Sequence, residues 1–119
     1  ESADAGLLES LSEYCEALSV QEASVLAELR AETMKQYGHS PAASRMISGP
    51  LQGAVLGLLS TATGAKRVLE LGAFTGYATI AMSLGLPGDP LSGSGRHVIT
   101  CEPGPASREI ALKYIARVG

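Results

Sequence analysis

The sequence predicts an α/β fold: helices first, then a β-α-β-α unit forming the first half of a doubly wound parallel sheet. Three observations predict it. Val68-Leu69-Glu70-Leu71 is a short apolar run that enters a glycine-bounded turn, Gly72-Ala73-Phe74-Thr75-Gly76, and then a helix-like segment. His97-Val98-Ile99-Thr100-Cys101-Glu102 is a second apolar strand ending in an acid. Helical periodicity occupies the chain before, between and after them.

Leu7, Leu8, Leu11, Cys15 and Leu18 recur at helical spacing and predict a first helix over residues 5–18. Ser19-Val20-Gln21-Glu22 has the S-x-x-E form of a capping box. A second helix is expected behind it, with Val25, Leu26 and Leu29 inward and an end near Gly38. His39-Ser40-Pro41 reads as a loop. Ser48-Gly49-Pro50 reads as a helix start, with Pro50 where its missing N–H costs little. Leu51, Val55, Leu58, Leu59 and Ala62 form the apolar face of that helix, and Gly64 is its stop.

Strand one, residues 67–71, reads as apolar enough to be buried on both faces of a parallel sheet. A helix over 76–84 follows, carrying Ile80, Ala81 and Leu84. Glycines at 85, 88, 93 and 95 and prolines at 87 and 90 make 85–95 a surface loop. Strand two covers 97–101 and a last helix 106–118. Two parallel strands do not make a stable doubly wound sheet, which needs about five. The chain is therefore expected to be part of a larger domain, with residues 1–45 as an N-terminal helical segment and 46–119 as the first half of a cofactor-binding domain.

Composition excludes several function classes. With 45% hydrophobic and 18% charged residues the 119-residue chain reads as globular. A net charge of −3 with scattered Lys and Arg argues against nucleic acid. No apolar run reaches the roughly 20 residues of a membrane helix. Cys15 and Cys101 lack metal-type spacing and read as free thiols of a reducing compartment, with a disulfide as the alternative. No targeting segment is in view, and a cytoplasmic location is expected on that ground.

The chemistry centres on the glycine turn and the two acids. Gly72 allows a tight turn and close approach of a ligand, and Gly76 lets the next helix start tightly. The G-x-x-x-G spacing departs from the G-x-G-x-x-G dinucleotide fingerprint. Glu102 stands where a carboxylate can accept from both hydroxyls of a ribose. A plain strand-to-helix turn and a solvated loop acid are the competing readings. No Ser/His/Asp or Cys/His arrangement is present, and His97 at a strand start reads as structural. His39, in a loop, is at most a gating residue or an acceptor contact.

Arg67-Val68-Leu69-Glu70-Leu71-Gly72-Ala73-Phe74-Thr75-Gly76-Tyr77 resembles the first motif of class I S-adenosylmethionine-dependent methyltransferases, which are Rossmann-like. More narrowly, it is similar to the caffeoyl-CoA/catechol type of O-methyltransferase. Pro41-Ala42-Ala43-Ser44-Arg45-Met46-Ile47-Ser48, then Gln52-Gly53, resembles the family's segment before that strand. Leu84-Gly85-Leu86-Pro87 and Val98-Ile99-Thr100-Cys101-Glu102 resemble its following loop and second strand.

The resemblance implies S-adenosylmethionine as cofactor and methyl transfer to a hydroxyl of a small phenolic acceptor, catechol- or phenylpropanoid-like. By it, Ser48 touches the methionine end of the cofactor, Glu70 lies near its amino group, and Gly72 and Ala73 line it with backbone. Glu102 holds the ribose diol. Met46 borders the acceptor, a buried core methionine being the competing reading. Thr75, Gly76, Tyr77 and Ala78 complete the cofactor-binding set. Ala78 departs from the family, which often has Ser there. The resemblance also implies a divalent, Mg-type metal whose ligands are not in this chain, and a homodimer. Two other readings stand beside it: an NAD-type nucleotide-binding oxidoreductase, and a truncated, non-catalytic methyltransferase-like interaction module.

Overall fold

The structure, a computed structural model, describes residues 2–19, 21–87 and 97–119. Among them are six helices and two strands. In chain order they are α1 (Ser2–Leu18), α2 (Ser24–Tyr37), α3 (Pro41–Ser44), α4 (Pro50–Ala62), β1 (Arg67–Leu71), α5 (Tyr77–Gly85), β2 (His97–Cys101) and α6 (Pro105–Ile115). The strands pair in parallel, with Arg67 opposite His97 and Leu71 opposite Cys101. The expected β-α-β-α order is present. Residues 88–96, most of the expected glycine-rich loop, lie outside the described residues.

The helix-start reading at Pro50 holds: Pro50 opens α4, and Gly64 follows its end at φ 61. The capping box does not form. Ala23 precedes α2 without a side-chain cap, and Ser19 instead donates to the Cys15 carbonyl at 2.5 Å. Helix α2 starts too late for the box: Glu22 lies before its first residue, Ser24, and has other partners. Arg30 binds it through two nitrogens, at 2.7 and 3.1 Å, and the Tyr77 hydroxyl donates to it at 2.6 Å. Part of the expected 39–41 loop is α3, which Ser40 caps by accepting from Ala43 N–H.

The core lies where α2, α5 and α6 meet. Leu26, Leu29, Tyr77, Ile80, Ala81 and Tyr114 form one buried cluster. Leu26 and Leu29 face inward as the spacing predicts. Each side chain of that size, once buried, contributes about 1.5–3 kcal/mol. On α4 the expected apolar face is not the buried one. Val55, Leu58 and Leu59 are exposed, whereas Gly53 and Ser60 are buried. The cause is how closely α4 and α5 approach. A Cβ on Gly53 would meet the Tyr77 ring at 2.8 Å, and one on Gly85 would meet the Gly57 backbone at 2.2 Å. Small residues therefore occupy the contact, and large ones are turned out.

Strand one is not buried on both faces. Both strands alternate, with Leu69, Leu71 and Ile99 exposed on one side. Among the described residues only one face of the two-stranded sheet is covered. The apolar residues of α1 recur as predicted, yet Leu7, Leu8, Leu11 and Leu18 are exposed too.

Two predictions follow from this packing. Gly76 has φ 90, and a Cβ there would lie 3.1 Å from Ala111 Cβ. Gly76→Ala is expected to destabilise by about 1–3 kcal/mol in urea denaturation, through strain and contact together; a neutral substitution would sink that account. The hydrogen bonds from Arg30 hold the Glu22 carboxyl below the ordinary glutamate value. Its contribution is thus complete above the unfolded pKa and is lost as pH falls through the lowered folded value. Acid denaturation of Glu22→Gln should show a shallower pH dependence than the parent in that window, below about pH 4.5.

Candidate cofactor site

The turn between β1 and α5 alternates into left-handed backbone. Gly72, Phe74 and Gly76 have φ of 92, 51 and 90. Glycine adopts such angles freely, but an aromatic residue there is strained by about 1–3 kcal/mol. Hydrogen bonds hold it. Gly72 and Ala73 N–H both donate to the Cys101 carbonyl, at 2.9 and 3.1 Å, and Gly76 N–H donates to Ala73 O at 2.8 Å. Phe74 N–H donates to Glu102 Oε2 at 2.7 Å. The other carboxylate oxygen, Oε1, accepts from Gly104 N–H, also at 2.7 Å. The Phe74 ring lies against Tyr37, centroids 5.0 Å apart and tilted 51°.

This turn and the segment before α4 enclose a cleft of about 40 Å³, lined by Met46, Ile47, Ser48, Gly72, Ala73, Phe74, Thr75, Tyr77 and Ala78. Seven of the ten residues singled out in the sequence are among them. Met46 is 61% exposed, so the core-methionine reading is overturned. Among the described residues nothing lies within 4 Å of where a Gly72 Cβ would point, so that side of the turn is open to them. The cleft is far smaller than the roughly 300 Å³ or more that encloses a whole ligand. It fits one end of a molecule.

The remaining expected residues sit around this cleft rather than in its wall. Glu70 Oε2 accepts from the hydroxyls of Thr79 on α5 and Thr100 on β2, the latter at 2.5 Å. Its Oε1 takes no part in these bonds. Gly76 is packed under α6. Glu102 borders the turn from the end of β2. Thr75 and Tyr77 line the cleft but have their hydroxyls turned elsewhere. Thr75 Oγ1 lies 2.8 Å from Thr33 Oγ1 on α2, and Tyr77 donates to Glu22. Burial, then that bond to Glu22, pushes the Tyr77 hydroxyl well above the ordinary tyrosine range, so it stays protonated.

The sequence reading missed Ile47 and Phe74 as lining residues, and Thr33, Tyr37 and Ser107 as supports of the turn. Phe74 stood in the quoted motif, but its left-handed angle has no sequence signal of its own. Thr33 and Tyr37 come from a helix some 40 positions earlier, where only helical periodicity was legible. His39 and His97 are both exposed and do not line the cleft. Cys15 and Cys101 are free thiols.

Chemically, the site offers backbone surface and two fixed carboxylates, not a row of donors. Four of the five turn amides donate within the protein. They form no cradle for a pyrophosphate, which needs free N–H groups. The carboxylates suit hydroxyl or ammonium donors.

Comparison with known proteins identifies the family. The sequence profile of a family described as O-methyltransferase matches residues 16–119. A caffeoyl-CoA O-methyltransferase from Populus kitakamiensis is 34% identical over 94 residues, covering 79% of this chain and 36% of that protein. A catechol O-methyltransferase from Niastella koreensis is 43% identical over 70 residues, covering 59% of this chain and 29% of that one. A solved O-methyltransferase from Bacillus cereus in complex with SAH superposes with a TM-score of 0.72 at 30% identity, covering 91% of this chain and 44% of that one. The chain thus spans less than half the length of these relatives.

The Glu102 carboxylate is expected to order the turn as well as border it. Glu102→Ala should speed hydrogen exchange at the Phe74 and Gly104 amides by about tenfold or more, since each loses a charged acceptor. Exchange in α4 should be unaffected. Unchanged protection at Phe74 would show that the carboxylate does not hold the turn.

Proposed function

As this chain belongs to the O-methyltransferase family of class I, S-adenosylmethionine-dependent enzymes, we propose that it forms the cofactor-binding half of an enzyme that methylates a hydroxyl of a small, catechol- or phenylpropanoid-like acceptor. The observation that carries this reading is the meeting of the Met46–Ser48 segment with Gly72, Ala73 and Ala78 around one cleft. In this reading residues 46–119 are the first half of the binding domain, and residues 1–45 are the helical segment packed on it.

Bound S-adenosylmethionine would supply a methyl group on a sulfonium, which is already a good electrophile. The chain's own residues bind and orient. Ser48 meets the methionine end, and Gly72 and Ala73 lie along the ligand with their backbone. Their N–H groups are committed to Cys101, so this contact is one of shape. Glu70 Oε1, outside the bonds to Thr79 and Thr100, suits an ammonium. Glu102 has about four acceptor positions, of which Phe74 and Gly104 use two. The other two suit a ribose diol. Exposed Met46 borders the acceptor, whose oxygen must lie in line with the methyl, a proximity effect.

The resemblance implies a divalent metal. Among the described residues no group of three His, Cys, Asp or Glu stands together, and no step here passes through a metal. An NAD-type dinucleotide is not favoured, because the turn amides are spent internally and the relatives found are O-methyltransferases. Free thiols at Cys15 and Cys101 support the cytoplasmic reading. No helix among the described residues is long and apolar enough to cross a membrane.

Calorimetric titration tests the reading. The protein should bind S-adenosylhomocysteine saturably and NAD not at all. Glu102→Ala should weaken that binding. Ala78→Ser places a hydroxyl on the cleft wall and should tighten it by about two- to tenfold, one net hydrogen bond. NAD binding without S-adenosylhomocysteine binding would overturn the assignment.

A further inference from the structure

We propose that Thr33, on α2, is a positioning residue for the cofactor turn, acting through a buried hydroxyl pair with Thr75. This rests on the turn being the cofactor site. Thr33 and Thr75 are each 0% exposed, and their Oγ1 atoms are 2.8 Å apart across 42 positions of sequence. Thr33 Oγ1 also lies 2.8 Å from the Leu29 carbonyl, so the pair is tied to the backbone of α2.

Thr75 stands between the two left-handed residues Phe74 and Gly76. Its side chain is therefore the tether of the segment where the turn reverses direction. Its neighbours Ala73 and Ala78 face the cleft. A displacement of Thr75 moves that wall. A second contact on the same helix acts on the adjacent residue: the Tyr37 ring lies against Phe74, while Tyr37 Oη is 3.0 Å from Ser107 Oγ on α6. Helix α2 thus grips the turn at Thr75 and Phe74, although it contributes no lining residue of its own.

The chemistry of the pair makes the role separable from bulk packing. Valine at position 33 keeps the shape of threonine but leaves the Thr75 hydroxyl buried without that partner, which is costly. Moving Thr75 relieves that cost at the expense of the turn. Serine at position 33 keeps the hydroxyl. Valine at both positions removes the mismatch.

The test uses the full protein and the variants Thr33→Val, Thr33→Ser and Thr33→Val/Thr75→Val, read by S-adenosylhomocysteine titration and by hydrogen exchange of the ligand-free protein. Thr33→Val should weaken binding about three- to tenfold and speed exchange at the Gly76 amide more than in α4. Thr33→Ser should remain near the parent in both, and the double variant should recover part of the loss. A Thr33→Val protein with a lower Tm but unchanged affinity and unchanged Gly76 exchange overturns the proposal. So does equal loss in the serine variant. If the parent fails to bind S-adenosylhomocysteine, the cofactor reading falls, and Gly76 exchange alone decides whether Thr33 holds the turn.

Discussion

Holding a turn in left-handed backbone is the constraint on which the arrangement depends. Between Gly72 and Gly76 the chain must reverse from the end of β1 into α5 while leaving one side open. Two of its three left-handed positions are glycines. The third, Phe74, needs help, and the help comes from three directions. Glu102 accepts its N–H, the Cys101 carbonyl accepts the two amides before it, and Tyr37 supports its ring. Strand β2 and helix α2 are as much part of the turn as its own residues.

The N-terminal helical segment is consequently more than an appendage. Leu26 and Leu29 enter the same buried cluster as Tyr77 and Ile80. Glu22, bound by Arg30, receives the hydroxyl of Tyr77, the residue that opens α5. Neutral polar bonds between distant elements add only about 0.5–1.5 kcal/mol net each, and those to a charged carboxylate such as Glu22 about 1.5–3 kcal/mol. Their effect is on direction. A buried hydroxyl or carboxylate tolerates few orientations, so each bond narrows the positions in which α2 can sit against α5.

Apolar surface is distributed differently from what periodicity implies. Leu69, Leu71 and Ile99 on the sheet, and Leu58 and Leu59 on α4, are all exposed. The chain spans less than half of its relatives. An apolar period identifies a face suited to burial, but whether anything covers that face depends on what packs against it. On α4 a close helix contact took the glycine side instead.

The order of elements, the strand ends and most of the cleft residues were legible in the sequence, because they depend on local patterns. A glycine turn after an apolar run, an acid at the end of the next strand and a proline at a helix start each carry their own physical reason within a few residues. The partners of those residues were not legible. Glu22 satisfied a capping-box pattern, yet α2 starts only at Ser24, and Glu22 is bound instead by a guanidinium and a buried phenol. Thr75 and Tyr77 belong to the motif, but their hydroxyls turn to α2 and to Glu22. Hydrogen-bond partners are chosen by proximity in space, and only the packing of α2 and α6 against α5 brings Thr33, Tyr37 and Ser107 to the turn. The sequence by itself determined the turn and most of the residues that line its cleft, through local patterns; the tertiary structure decided which of them face the cleft and which are held by α2 and α6.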